Sequence, residues 1–150
     1  MMSRRWIIFI FAISHFFLSQ FYRVSNAVIA PELIRDLSLD TAGLGLMSAA
    51  FFYSFALTQI PISVLLDKVG PRWLMSLLSL IGILGALIFS MADSFGIGLL
   101  GRILLGIGMA CNLMGSYKLL TLWFSPRMFA TLAGILVALG TLGNMVATTP

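Results

Sequence analysis

The chain has 150 residues, 60% of them apolar and only 9% charged, against about 45–50% and 25% in ordinary soluble domains. Folded in water, that composition would leave large apolar patches uncovered, so a soluble enzyme or binding module is excluded and the lipid bilayer is the expected solvent. The net charge of +4 does not point to nucleic acid, because the basic residues collect in alternate connections between apolar runs.

Five apolar stretches follow one another, each close to the roughly 20 residues that span hydrocarbon. The first covers residues 6–30. Met1 to Arg5 followed by an apolar run imitates a signal peptide. The run is longer than the roughly 7–15 residues of a signal core, carries Tyr22 and Arg23, and reaches Pro31 without a small-x-small cleavage site. A retained helix is expected. Within it His15, Ser19, Tyr22, Arg23 and Asn26 recur at steps of four, three, one and three. At about 100° per residue they share a sector of roughly 100°, a polar stripe on a lipid-length helix.

An acidic connection, residues 31–41, leads to the second stretch at 43–66, whose Tyr53, Ser54, Thr58 and Gln59 spread widely around the helix. Asp67 to Arg72, with turn-forming Gly70 and Pro71, joins it to the third at 73–91. Asp93 and Ser94 precede the fourth at 95–122, where Arg102, Asn112 and Ser116 share a side with Gly106 and Lys118 points elsewhere. The single cysteine, Cys111, lies in this run, so no internal disulfide framework or thiolate metal site is available. Ser125 is placed to cap and Pro126 to open the fifth stretch at 128–149, where Thr141, Asn144 and Thr148 align.

Arg4, Arg5, Lys68, Arg72, Lys118 and Arg127 fall at one set of helix ends, and Glu32, Arg35, Asp36, Asp40 and Asp93 at the other. The positive-inside rule places the N-terminus in the cytoplasm and, after five crossings, Pro150 at the outer face. The membrane expected is the plasma membrane, or the inner membrane of a bacterial cell. No polar tail follows the fifth stretch, so the chain reads as one partial N-terminal bundle, residues 1–150, awaiting further helices.

The segment Leu65-Leu66-Asp67-Lys68-Val69-Gly70-Pro71-Arg72-Trp73 resembles the helix 2 to helix 3 signature of the major facilitator superfamily. Asp67 can accept hydrogen bonds from a helix N-terminus or pair with Arg72, and Gly70 permits a tight reversal. Ser63 stands where the family usually has glycine, and Pro71 where it usually has a basic residue. Arg102 followed by Gly106 and Gly108 is similar to the family's helix 4 pattern; an arginine within a span either faces a protein interior or snorkels to the interface. The Gly-Pro pair of the family's antiporter pattern is missing from Ala138 to Asn144. Arg23 is placed like the helix 1 arginine of the organic-anion and organophosphate branches, where it faces the central cavity.

The resemblance implies an all-α transmembrane bundle, the first five of twelve helices, working by alternating access as a secondary transporter. The solute expected is small and anionic, since a guanidinium keeps its charge and matches carboxylate or phosphate. Arg23, Tyr22, Asn26, His15 and Asn144 are the candidate solute contacts; Asp67, Lys68, Gly70, Arg72, Arg102 and Gly106 form the candidate switching motif. A proton or counter-solute is the expected coupling partner. A structural ion pair or interfacial snorkelling remains the alternative for Arg23, and packing the alternative for His15. A cation or drug exporter, or a non-transporting scaffold or sensor, are the alternative functions. No nucleophile elbow, metal cluster or phosphate-binding loop is present in the sequence, so neither an enzyme nor a cofactor is expected.

Overall fold

In hydrocarbon a backbone must satisfy its own N–H and C=O groups, and a helix does so within one segment. The computed structural model describes residues 4–149, and the described residues are helical with no strands. The expected outer-face position of Pro150 lies outside the described residues. Helix α1 (Arg4–Val28) is followed by the short α2 (Ala30–Asp36), then α3 (Thr41–Lys68), α4 (Pro71–Ser90), α5 (Phe95–Met109), α6 (Asn112–Trp123) and α7 (Pro126–Thr148). Five helical segments are long and apolar enough to cross a membrane: α1, α3, α4, the α5–α6 pair as one span, and α7.

The connection at residues 31–41 is more ordered than a plain loop. Pro31 sits in the first turn of α2, where its missing N–H leaves no bond unmade. Asp40 then caps α3, its Oδ1 accepting from the Gly43 N–H at 2.7 Å. Ser125, expected to cap, does not: it occupies the N-cap position of α7 without its side chain bonding the first turn, and Ser94 stands likewise before α5. Pro126 at the start of α7 and Pro71 at the start of α4 supply the pre-set backbone instead.

The α5–α6 span is the hub. It packs most heavily on α4 and α3 and, through α6, on α1, which in turn lies along α7. Small residues make the closest approach possible. A Cβ on Gly108 would collide with the Cα and N of Gly82, and one on Gly106 with Ser54 Oγ and the Phe51 carbonyl of α3. At the end of the bundle where α1 begins, Trp6, Phe9 and Phe124 form a triangle of edge-on rings, with centroids 5.4–6.0 Å apart. Large apolar side chains such as Leu57, Ile60, Leu77 and Leu84 stay exposed, as suits faces turned to lipid or to further helices.

The hub span is interrupted at Ala110 and Cys111, where the Ala110 N–H bonds back to the Ile107 carbonyl, three residues away, instead of four. Directly after the break, Asn112 Nδ2 donates to the His15 carbonyl at 3.1 Å and Ser116 Oγ faces the Ala12 carbonyl at 3.4 Å. The irregular turn therefore coincides with the level at which α1 crosses.

Candidate functional site

The polar stripe of α1 is divided between two neighbours. His15 and Tyr22 face α4, where a cleft of about 430 Å³ is also lined by Ser79 and Asn112. His15 Nδ1 lies 3.0 Å from the Phe11 carbonyl, which can only accept. In the neutral ring that nitrogen carries the proton, and Ser79 Oγ donates to Nε2 at 3.1 Å. His15 also lines a second cleft, of about 550 Å³, which runs toward Arg4, Arg72 and Trp123.

Ser19, Arg23 and Asn26 turn instead into the bundle. Asn26 is 2% exposed, and its Nδ2 donates to Ser48 Oγ of α3 at 2.7 Å. Arg23 is half-buried, its guanidinium carbon 4.9 Å from the centre of the Phe55 ring. Asn144 of α7 has its side-chain oxygen buried without a partner. No described contact joins His15 to Arg23, so the five candidate solute contacts do not form one constellation in this chain.

Arg102 resolves the choice between interior and interface. It is 0% exposed, its Nη1 donating to the Tyr22 carbonyl at 3.2 Å. Its guanidinium lies over Phe51 at 4.7 Å and Phe89 at 5.7 Å. Both ring faces offer the negative side of their quadrupole, worth about 2 kcal/mol for a desolvated cation.

The carboxylates are elsewhere. All five, Glu32, Asp36, Asp40, Asp67 and Asp93, lie at helix ends or in connections. Nε of Arg23 and both Nε and Nη2 of Arg102 are buried with no hydrogen-bond partner. Outside the spans, Arg35 donates to Asp36 at 3.0 Å, and that bond, followed by the carboxylate charge, raises its pKa.

The turn between α3 and α4 corrects one expectation. Asp67 pairs neither with Arg72 nor with a helix N-terminus; its Oδ1 accepts from Lys118 Nζ at 2.8 Å. The descending α6 brings Lys118 back to the end of α3, while the Arg72 guanidinium lies 5.9 Å from the Trp73 ring. Gly70 has φ +86°, where a side chain is strained. Lys68 and Ser63 are exposed, so Ser63 makes no close helix contact that glycine would improve.

The aromatic supports Phe51, Phe55 and Phe89 were not among the expected site residues, nor were Ser48 and Ser79. One signal was present: Phe51 and Phe55 stand four apart on α3, which places both rings on one face.

Comparison with known proteins places these features in a family. Residues 11–149 match the family described as Major Facilitator Superfamily. The nitrate/nitrite transporter NrtP of Picosynechococcus sp. is 35% identical over 129 residues, covering 86% of this chain and 24% of that protein. The probable sulfoacetate transporter SauU of Cupriavidus necator is 30% identical over 131 residues, 87% of this chain and 30% of the relative. The probable galactarate/D-glucarate transporter GudP of Escherichia coli is 26% identical over 140 residues, 89% and 31%. The chain thus spans between a quarter and a third of the length of these relatives.

Proposed function

The chain belongs to the Major Facilitator Superfamily, and from that membership we propose that it forms the N-terminal part of a carrier for a small anion, with Arg23 supplying the cation of the solute site. The observation that carries the proposal is a half-buried guanidinium with an unpartnered Nε in a bundle whose spans contain no interior carboxylate. A buried charge without a counter-charge costs several kcal/mol, and an arriving anion offsets that cost. The names of the relatives, which include nitrate, sulfoacetate and galactarate or D-glucarate transporters, agree in solute charge and differ in shape. Tyr22, Asn26 and Asn144 are proposed as neutral polar groups that meet the solute away from the Arg23 fork, since none is joined to the Arg23 side chain by a described contact; His15, held between Phe11 and Ser79, is assigned to packing or to a coupling proton.

The test is uptake into proteoliposomes holding the full-length transporter. Nitrate, sulfoacetate, tartrate and D-glucarate are offered beside a lipophilic cation. Uptake of an anion and not of the cation is expected; the reverse would establish the exporter, and uptake of neither a scaffold or sensor.

The turn at Asp67 to Arg72, together with Arg102 and Gly106, is proposed to serve the conformational switch of alternating access. Asp67→Asn removes the partner of Lys118 and Gly70→Val strains a positive-φ position by about 1–2 kcal/mol. Each is expected to slow uptake severalfold at equal membrane abundance while leaving solute affinity within about twofold. Uptake equal to the parent in both variants argues against a switching role.

A cytoplasmic N-terminus in the plasma membrane, or in the inner membrane of a bacterium, follows from the same charge asymmetry. Cysteines placed at Lys68 and Asp36, both exposed, are expected to label from inside and outside respectively. Labelling of both from one side would refute five crossings.

A further inference from the structure

We infer that Arg102 is a positioning residue that sets the Arg23 guanidinium, acting through the Tyr22 carbonyl and through the stacked rings of Phe51 and Phe55. The inference rests on Arg23 as the anion contact and extends it to a residue of another helix.

The first route is through the backbone. Arg102 Nη1 donates to the Tyr22 carbonyl at 3.2 Å, and that carbonyl belongs to the peptide group joining Tyr22 to Arg23. Ser25 Oγ donates to the same oxygen at 3.0 Å. The peptide group from which Arg23 projects is thus held from α5 as well as from within α1. The second route is through the rings. The Arg102 guanidinium lies 4.7 Å from Phe51; Phe51 stacks on Phe55 with centroids 6.2 Å apart and planes 18° from parallel; Phe55 in turn carries Arg23 at 4.9 Å. Two cations therefore lie against one pair of stacked rings, one on each ring. With Nε of Arg23 unpartnered and no carboxylate in the interior of the spans, the ring face is what fixes the plane of its fork.

The routes can be cut separately. Arg102→Lys keeps a charged donor within reach of the carbonyl but loses the flat guanidinium on Phe51. Phe51→Leu keeps the carbonyl bond and removes the neighbour on which Phe55 stacks.

The experiment uses the full-length transporter in proteoliposomes with nitrate, sulfoacetate, tartrate and D-glucarate, reading KM and maximal rate. Beside it, the ¹⁵N–¹H signal of Arg23 Nε, assigned by its loss in Arg23→Lys, reads the position of the fork without any solute. Both variants are expected to shift that signal and to raise KM about 10-fold; Phe51→Leu, outside the proposed switch, should leave maximal rate within about twofold, whereas Arg102→Lys should lower it as well, because Arg102 also belongs to that switch. Combined with Arg23→Lys, neither should add its full penalty, because the group it positions is gone. An Arg23 signal unmoved in both variants overturns the inference, and so does a KM penalty that multiplies in full with that of Arg23→Lys. A shifted signal with KM untouched by Arg23→Lys upholds the positioning and refutes Arg23 as the anion contact. If Arg102→Lys does not accumulate in the membrane, Phe51→Leu decides alone.

Discussion

Arg23→Lys in the full-length transporter lowers affinity for the transported anion by about 10-fold or more, with thermal stability unchanged. The charge survives this substitution, so any loss belongs to the planar fork and its bidentate reach. Arg23 lies 19 residues beyond the start of α1, about 28 Å along the helix at 1.5 Å per residue. That depth is past the midpoint of α1 and short of its C-terminal end. A lysine there snorkels more readily and cannot lie flat on Phe55 while offering two donors. Anion binding to purified parent and variant, with melting temperature as the folding control, measures the effect. Unchanged affinity for every anion the parent binds, together with lowered stability, would instead make Arg23 a structural ion-pair partner of a helix beyond this segment.

Gly108→Val is expected to prevent assembly of the bundle. The β-carbon alone would occupy the space of the Gly82 Cα, and the Leu78 carbonyl lies just beyond, 2.8 Å from it. Overpacking a core costs about 1–3 kcal/mol when side chains can yield, but here the opposing atoms are backbone. Valine at Gly108 must push α4 and α5 apart along the largest helix interface in the molecule. Size-exclusion profile and melting temperature in detergent provide the measurement. A monodisperse variant melting as the parent does would show that the close approach is dispensable. Gly134→Ala, on an open face of α7 where an added Cβ meets nothing within 4 Å, is the matched control.

The all-helical membrane fold was legible because lipid leaves few options to an apolar stretch of 20 residues. Turn chemistry at Gly70 and Pro71 acts through neighbouring residues only, so sequence spacing carries it, whereas the cap expected of Ser125 did not form and the one at Asp40 was not foreseen. What spacing could not carry was the partner across the bundle. Asp67 sits five residues before Arg72, yet it pairs with Lys118, 51 residues away, because only the packing of α6 on the end of α3 brings that ammonium near. The helical wheel likewise put His15 and Arg23 in one sector. A helix with neighbours on several sides divides such a sector, sending His15 to Ser79 and Arg23 to Phe55. The phenylalanines looked like ordinary packing residues, and only their stacking under two guanidinium groups distinguishes them.

The burial of Arg102 also bears on how the chain is made. An arginine within a span costs up to about 2.5–3.5 kcal/mol to insert, and this one ends fully buried with no salt-bridge partner among the described residues. Its three companions, Tyr22, Phe51 and Phe89, sit on α1, α3 and α4, all of which precede it in the sequence. During synthesis each of them leaves the ribosome before Arg102 does. The carbonyl and the two ring faces are therefore available in the bilayer when the costly residue arrives, and the order of translation is also the order in which its shelter is assembled.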